Sequence, residues 1–379
     1  MSWLKDIKRG LERFGEFEKP RAERRSASGL EARYGVEIPN FPAGIKDISA
    51  SGVYLLTEKR LSTGELITLV LREKYQSETS ADLQFSVHAR VARQGEDGIG
   101  LSFDLPPGLD MDLWGVLLRN IVVLTDPEQV ADMFHTLRTI LFLCRICQSN
   151  AEQPILLLGK DLPPDRMTTL VKIVRAADER LASEPDSDRF RAHPGVVTSI
   201  LRDGSWAPDD ETIELWVGLL VASCSLSAPD DSNQIFANLL VQLTPTQTKI
   251  LVPACERALG IGPGAGKPIY GSIVISPKEM IELTGVHDLT RAATDMGYLY
   301  NLGLIKNVFN FSSYHEIESF DITPSALGVE LYRHCHGSRE KIEPQLVESA
   351  QAHLANFLPA PQPVAVGGEN PPLPTYTPD

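Results

Sequence analysis

Arg21 and Arg25 stand four positions apart, and about twenty residues later Asp47, Ser49 and Gly52 follow in the spacing D-x-S-x-x-G. Arginine offers a planar, forked set of donors. It grips phosphate oxygens or the O6/N7 edge of guanine, and it stacks on aromatic faces. In a strand, residues i and i+2 share a face. Asp47 and Ser49 then project together, with Ile48 turned to the core. A carboxylate there accepts from the N1–H and N2–H₂ groups of a guanine, and a hydroxyl donates or accepts. Gly52 permits close backbone approach or a tight bend. Further on, Ile99, Leu101 and Phe103 alternate with Gly98, Gly100 and Ser102, a nearly bare face on which a flat base could lie. One ligand type suits the whole set: a nucleotide with anionic phosphates and an aromatic base. Each piece alone also has a plainer reading: a solvated basic turn, an Asp-Ser turn closing a hairpin, or glycine tolerance on an edge strand.

Short strands must position these groups. Runs at 32–38, 44–48, 52–56, 65–72, 84–92 and 98–103, punctuated by Gly, Pro, Asn and Asp, predict an antiparallel barrel or sandwich. A helix is expected over 111–123. After residue 126 helical periodicity takes over, with helices expected at 127–147, 165–181, 209–225, 231–241, 245–259, 277–284 and 289–304. The fold class is therefore α+β. Segment 1–17 spaces Trp3, Leu4, Ile7, Leu11 and Phe14 as an amphipathic helix, which either packs on its own domain or meets a membrane surface or partner. The expected units are 1–17, a barrel at 18–124, a helical domain at 125–345 and a C-terminal segment at 346–379. Its Pro- and Gly-rich end, from about residue 359, is expected to be disordered.

The chain has 379 residues and a formal net charge of -14, which opposes general binding to nucleic acid. Its first thirty-five residues are the exception, with Lys and Arg in excess. No apolar run reaches membrane-span length and no signal-peptide core is visible, so a cytoplasmic location is expected. Five cysteines, an odd and sparse set, argue against a disulfide framework. The run 260–267 ends in Gly266-Lys267. A P-loop would need Gly at 261 and Ser or Thr at 268, where Ile261 and Pro268 stand, so a plain loop is expected. Cys144-x-x-Cys147 lies in an apolar run without a second ligand pair, and buried thiols are expected. His334-Cys335-His336 would diverge on a helix. No nucleophile–base set emerges, so the chain does not read as an enzyme, and no cofactor or metal is expected.

Residues 18–120 resemble the PilZ domain, the bacterial receptor module for cyclic di-GMP. The family's R-x-x-x-R matches Arg21 and Arg25, its D/N-x-S-x-x-G matches Asp47, Ser49 and Gly52, and its late G-x-G-x-x-F strand matches Gly98, Gly100 and Phe103. The segment 31–34 is similar to its first strand. The resemblance implies that the arginines hold phosphates and a guanine while the barrel motif cradles a guanine. Residues 190–340 are similar to the Abi-alpha family, associated with phage abortive infection, over 209–220, 236–251 and 299–335, and the succession of 243–247, 298–305 and 321–328 resembles a winged-helix element. Together these imply a cyclic-di-GMP receptor that signals to a helical output domain through an unknown protein partner. The alternative is a defence or interaction protein whose barrel is only a scaffold. DNA binding is disfavoured, because Asp288 and Asp295 flank Arg291 on the candidate recognition helix.

Overall fold

The computed structural model describes residues 29–36, 38–73, 83–109, 111–123, 127–159, 162–261, 271–306, 309–311 and 317–355. Arg21, Arg25, the segment 1–17, residues 262–267 and the tail from 359 lie outside the described residues.

Six strands form in the N-terminal part: β1 (Leu30–Gly35), β2 (Phe41–Ser49), β3 (Gly52–Leu56), β4 (Leu66–Glu73), β5 (Gln84–Gln94) and β6 (Gly98–Asp104). They close an antiparallel barrel in the order β1-β2-β3-β6-β5-β4. Period-two alternation drives this. In β5, Phe85, Val87, Ala89 and Val91 are buried while Ser86, His88 and Arg90 face solvent. Tyr34, Leu55, Ile67, Leu69, Leu71 and Ile99 join the inward set. A small barrel filled by side chains has no room for a ligand inside, so any binding site belongs on the outer face or at a rim.

Helix α1 (Met111–Val123) packs on the barrel through Trp114, which is fully buried. Its ring meets Phe103 edge-on at 5.2 Å and Phe85 edge-on at 6.1 Å. Helix α2 (Pro127–Cys147) brings Phe134 to the same Phe85 at 5.7 Å. Such aromatic pairs contribute about 0.5–1.5 kcal/mol each beyond their buried area. Barrel and helices thereby share one continuous core.

The remaining helices are α3 (Glu152–Gly159), α4 (Pro164–Ala182), α5 (Pro194–Gly204), α6 (Asp210–Ala222), α7 (Gln234–Leu240), α8 (Pro245–Leu259), α9 (Pro277–Thr284), α10 (Leu289–Asn301), α11 (Ala326–Cys335) and α12 (Pro344–Ala355). Strands β7 (Val274–Ile275), β8 (Phe309–Phe311) and β9 (Ile317–Asp321) make a small sheet in the order β7-β9-β8. Caps fix several helix starts. The Asp209 side chain accepts from the Thr212 amide, and Thr244 with Gln247 forms a reciprocal capping box before Pro245. The apolar α6 is buried nearly all round, and α11 crosses it at Gly218. A Cβ there would stand 1.7 Å from the Cys335 carbonyl oxygen, so only glycine fits. The helices expected from sequence do not include α3, α5, α11 or α12, and α12 runs across the expected boundary at 345/346. Pro154 and a short apolar run obscure α3, while Pro194-Gly195 followed by β-branched Val196 and Val197 obscures α5.

All five cysteines are buried and unbridged, and burial alone pushes the Cys144 thiol up to about 12. The described residues contain no metal-ligating cluster and no helix long and apolar enough to cross a membrane. Gly260 is the left-handed C-cap of α8, at φ 67°.

His334 is nearly fully buried, with its ring 4.6 Å from that of Phe236. His336 turns away to stack on Tyr332 at 4.0 Å. Neither nitrogen of His334 has a hydrogen-bond partner among the described residues, and burial pushes its pKa down from 6.5 to about 4. Glu330, 3.9 Å away, is itself pushed up by burial. The folded state holds the ring neutral, whereas the unfolded chain protonates it below its ordinary pKa. This contribution is complete above the unfolded pKa and is lost as pH falls from about 6.5 to about 4, amounting to roughly 3 kcal/mol. Urea unfolding at about pH 7 and pH 4.5 checks this. The natural chain is expected to lose roughly 2–3 kcal/mol more on acidification than His334→Phe, and equal losses would contradict the assignment.

Candidate functional site

Strand register sets out the site. Asp47 of β2 pairs with Tyr54 of β3, Tyr54 with Gly100 of β6, and Gly100 with Arg93 of β5. Beside this row lies a second one, Ser49–Gly52–Ser102–Arg90. Directly paired residues share a face, and both rows look outward. The row between them, Ile48–Val53–Leu101–Val91, is buried inside the barrel.

Two β-bulges make this arrangement. The register shifts between Ile45 and Asp47 in β2, and between Val91 and Arg93 in β5. Lys46 and Ala92 are the extra residues. Strict alternation would turn Asp47 inward with Ile45, and Arg93 inward with Val91. One inserted residue resets the parity and re-aims each side chain.

The rows enclose a cavity of about 180 Å³ lined by Asp47, Ser49, Gly52, Tyr54, Arg93 and Ser102, among others. Its floor is backbone. A Cβ on Gly52 would lie 2.0 Å from the Leu101 carbonyl oxygen, so glycine is required there by close strand approach. The Ser49 hydroxyl donates to the Gly52 carbonyl at 3.2 Å, which fixes the turn between β2 and β3. Asp47 and Ser49 form one wall of this trough, and Arg93 rises on the other side.

The glycine strip of β6 departs from the sequence expectation of a bare face. The Arg93 side chain lies across Gly100, where a Cβ would meet its Cγ at 2.8 Å. Gly98 is buried under the Tyr54 ring, and a Cβ there would stand 1.9 Å from the Leu55 carbonyl oxygen. Gly98 therefore serves strand packing and does not line the cavity. Of the expected site residues, Asp47, Ser49, Gly52 and Gly100 come together at the cavity, Gly98 does not, and Arg21 and Arg25 lie outside the described residues.

Tyr54 anchors the trough. Its hydroxyl donates to Asp97 at 2.8 Å, and Lys46 donates to the other Asp97 oxygen at 2.6 Å. Lys46 and Arg93 sit 5.2 Å and 5.7 Å from the centre of the Tyr54 ring. The Lys46 ammonium, then the Tyr54 hydroxyl, holds the Asp97 carboxyl below its ordinary range. Asp97 in turn raises Tyr54, chiefly through that hydrogen bond. Sequence reasoning misses Tyr54, Arg93, Lys46 and Asp97. A basic residue two positions after inward Val91 is the one available signal, because period two alone would bury its charge.

The turn that carries Ser49 also touches the helices. Ala50 packs against α1 at Gly115, where a Cβ would stand 3.0 Å from the Ala50 Cβ, next to Trp114.

A closed six-stranded antiparallel barrel with this outward polar face forms the N-terminal part of the described structure. Residues 19–117 match the PilZ domain model, and residues 166–335 match the family described as abortive infection alpha. The chain thus carries a barrel stretch that matches the PilZ domain model ahead of a helical stretch that matches the abortive infection alpha model. No curated protein matches the chain.

The two glycines of the floor are expected to respond differently to substitution. Gly52→Ala forces its Cβ into a backbone carbonyl and should cost about 1–3 kcal/mol in urea unfolding. Gly100→Ala displaces only the flexible Arg93 side chain and should cost less. Equal costs would contradict the assigned roles.

Proposed function

We propose that the outer barrel face, completed by Arg21 and Arg25, binds cyclic di-GMP, and that the chain is a receptor relaying occupancy to its helical half. One observation carries this reading. Within the stretch that matches the PilZ domain, an acceptor pair, Asp47 and Ser49, borders a trough floored by backbone. The cavity, at about 180 Å³, is smaller than the roughly 300–1,000 Å³ of pockets that enclose a whole ligand. It suits one base. The phosphates and the second base then call for cations from outside the trough, the role we give to Arg21 and Arg25.

The contact of Ala50 with Gly115 supports a relay. A ligand seated against the 49–52 turn bears on α1, and α1 shares its aromatic core with α2. The shift it produces is limited by its differential affinity for the two arrangements. In the helical half, the order α8-β7-α9-α10-β8-β9 fits a winged-helix element. On α10 and its cap, exposed Arg291 stands beside exposed Asp288. That charge balance favours a protein partner over DNA.

Calorimetry of the full chain against cyclic di-GMP, with GTP as control, tests the reading. Saturable binding of the dinucleotide is expected. Arg25→Ala and Asp47→Ala should each weaken it by about tenfold or more, because each removes charge-assisted hydrogen bonds. Absence of binding by the natural chain would contradict the receptor reading and favour the barrel as a scaffold in a defence or interaction protein.

A further inference from the structure

We propose that Arg93 reads the acceptor edge of a guanine whose donor edge faces Asp47, so that the barrel face itself selects guanine over adenine. The inference rests on the reading above, that the trough takes one base of a cyclic dinucleotide.

Three observations converge on Arg93. The first is position. It ends the outward row that Asp47 begins, three strand spacings away, or about 14 Å along a flat sheet. The bulge at Ala92 turns it outward, and its Cγ and Nε lie over Gly100, so the guanidinium extends back into the trough.

The second is availability. Arg90, the neighbouring cation on β5, is paired with Asp104 at 2.9 Å, and Lys46 is paired with Asp97. Arg93 lines the cavity and makes no ion pair among the described residues. Its described partner is the Tyr54 ring, which holds a guanidinium in place without neutralising it. Tyr54 is itself fixed through Asp97. The forked donor group is therefore pre-oriented, and no hydrogen bond or ion pair among the described residues occupies it.

The third is the polarity of the trough. One wall accepts, through Asp47 and Ser49, and the other donates, through Arg93. Guanine carries donors at N1–H and N2–H₂ and acceptors at O6 and N7, which matches both walls at once. Adenine sets its N1 acceptor against the carboxylate and its N6 amino donor against the guanidinium. The carboxylate then meets an acceptor, the guanidinium keeps only N7 of its two acceptors, and unpaired polar groups are costly. In this account Asp47 alone would prefer guanine weakly, and the two walls together make the preference strong.

The test is calorimetry of full-length Arg93→Met and Arg93→Lys against cyclic di-GMP and cyclic di-AMP. Methionine keeps an apolar stem over Tyr54 and Gly100. It should weaken cyclic di-GMP by about tenfold or more, the scale of one forked base contact, while weakening cyclic di-AMP much less. Lysine keeps the charge but lacks the fork, and it should resemble methionine. This arm decides even where cyclic di-AMP binds too weakly to titrate. Natural affinity in Arg93→Lys would show charge alone at work and overturn the proposal, as would equal losses for both dinucleotides in Arg93→Met. A natural chain that does not bind cyclic di-GMP would overturn the parent reading and this inference with it. Binding that is indifferent to Arg93 would overturn this inference alone.

Discussion

Two inserted residues, Lys46 in β2 and Ala92 in β5, set the parity of the barrel face. A side chain in a strand has only two directions, and one extra residue exchanges them for everything that follows. The barrel uses that exchange twice. Ile45 and Ile48 both reach the core, and Asp47 between them is left facing out. Val91 reaches the core, and Arg93 two positions later also faces out. The pairing of β2, β3, β6 and β5 then lines up an acceptor wall and a donor wall across a floor that glycine keeps low. Either strand without its bulge would turn a charged group into a filled apolar interior, where an unpaired charge is prohibitively costly.

The second constraint is the aromatic joint at Trp114. Its ring is enclosed by Phe85 and Phe103 from the barrel, and Phe134 of α2 closes on the same Phe85. The helical half is thus an extension of the barrel core. Gly115, the next residue after Trp114, touches Ala50 in the turn that ends the acceptor wall. Site and helices meet within a few side chains, and the proposed relay would run through these close-packed contacts, which deform little.

Much of this was legible in the sequence. Alternation in the barrel strands located all six within a few residues, and caps such as Thr244-Pro245 and Ser276-Pro277 fixed helix starts, because these signals are local. The face shared by Asp47 and Ser49 was also legible, since it needs only period two after the bulge. The partners of these residues were not. Tyr54 and Arg93 belong to the site through cross-strand register, which no local pattern contains. Gly98 and Gly100 looked equivalent in sequence, yet one lies under a tyrosine ring and the other under an arginine side chain. The helices α3 and α5 were hidden by proline, glycine and β-branched residues whose intrinsic preference is overridden by burial of their apolar faces.

The central claim is that the two outward rows form one binding surface joined to α1. Hydrogen exchange of the full chain with and without cyclic di-GMP measures it directly. The account predicts added protection at residues 47–54 and 90–102 together, extending into α1 around Gly115. Protection confined to the helical half, or reaching one row without the other, would contradict it.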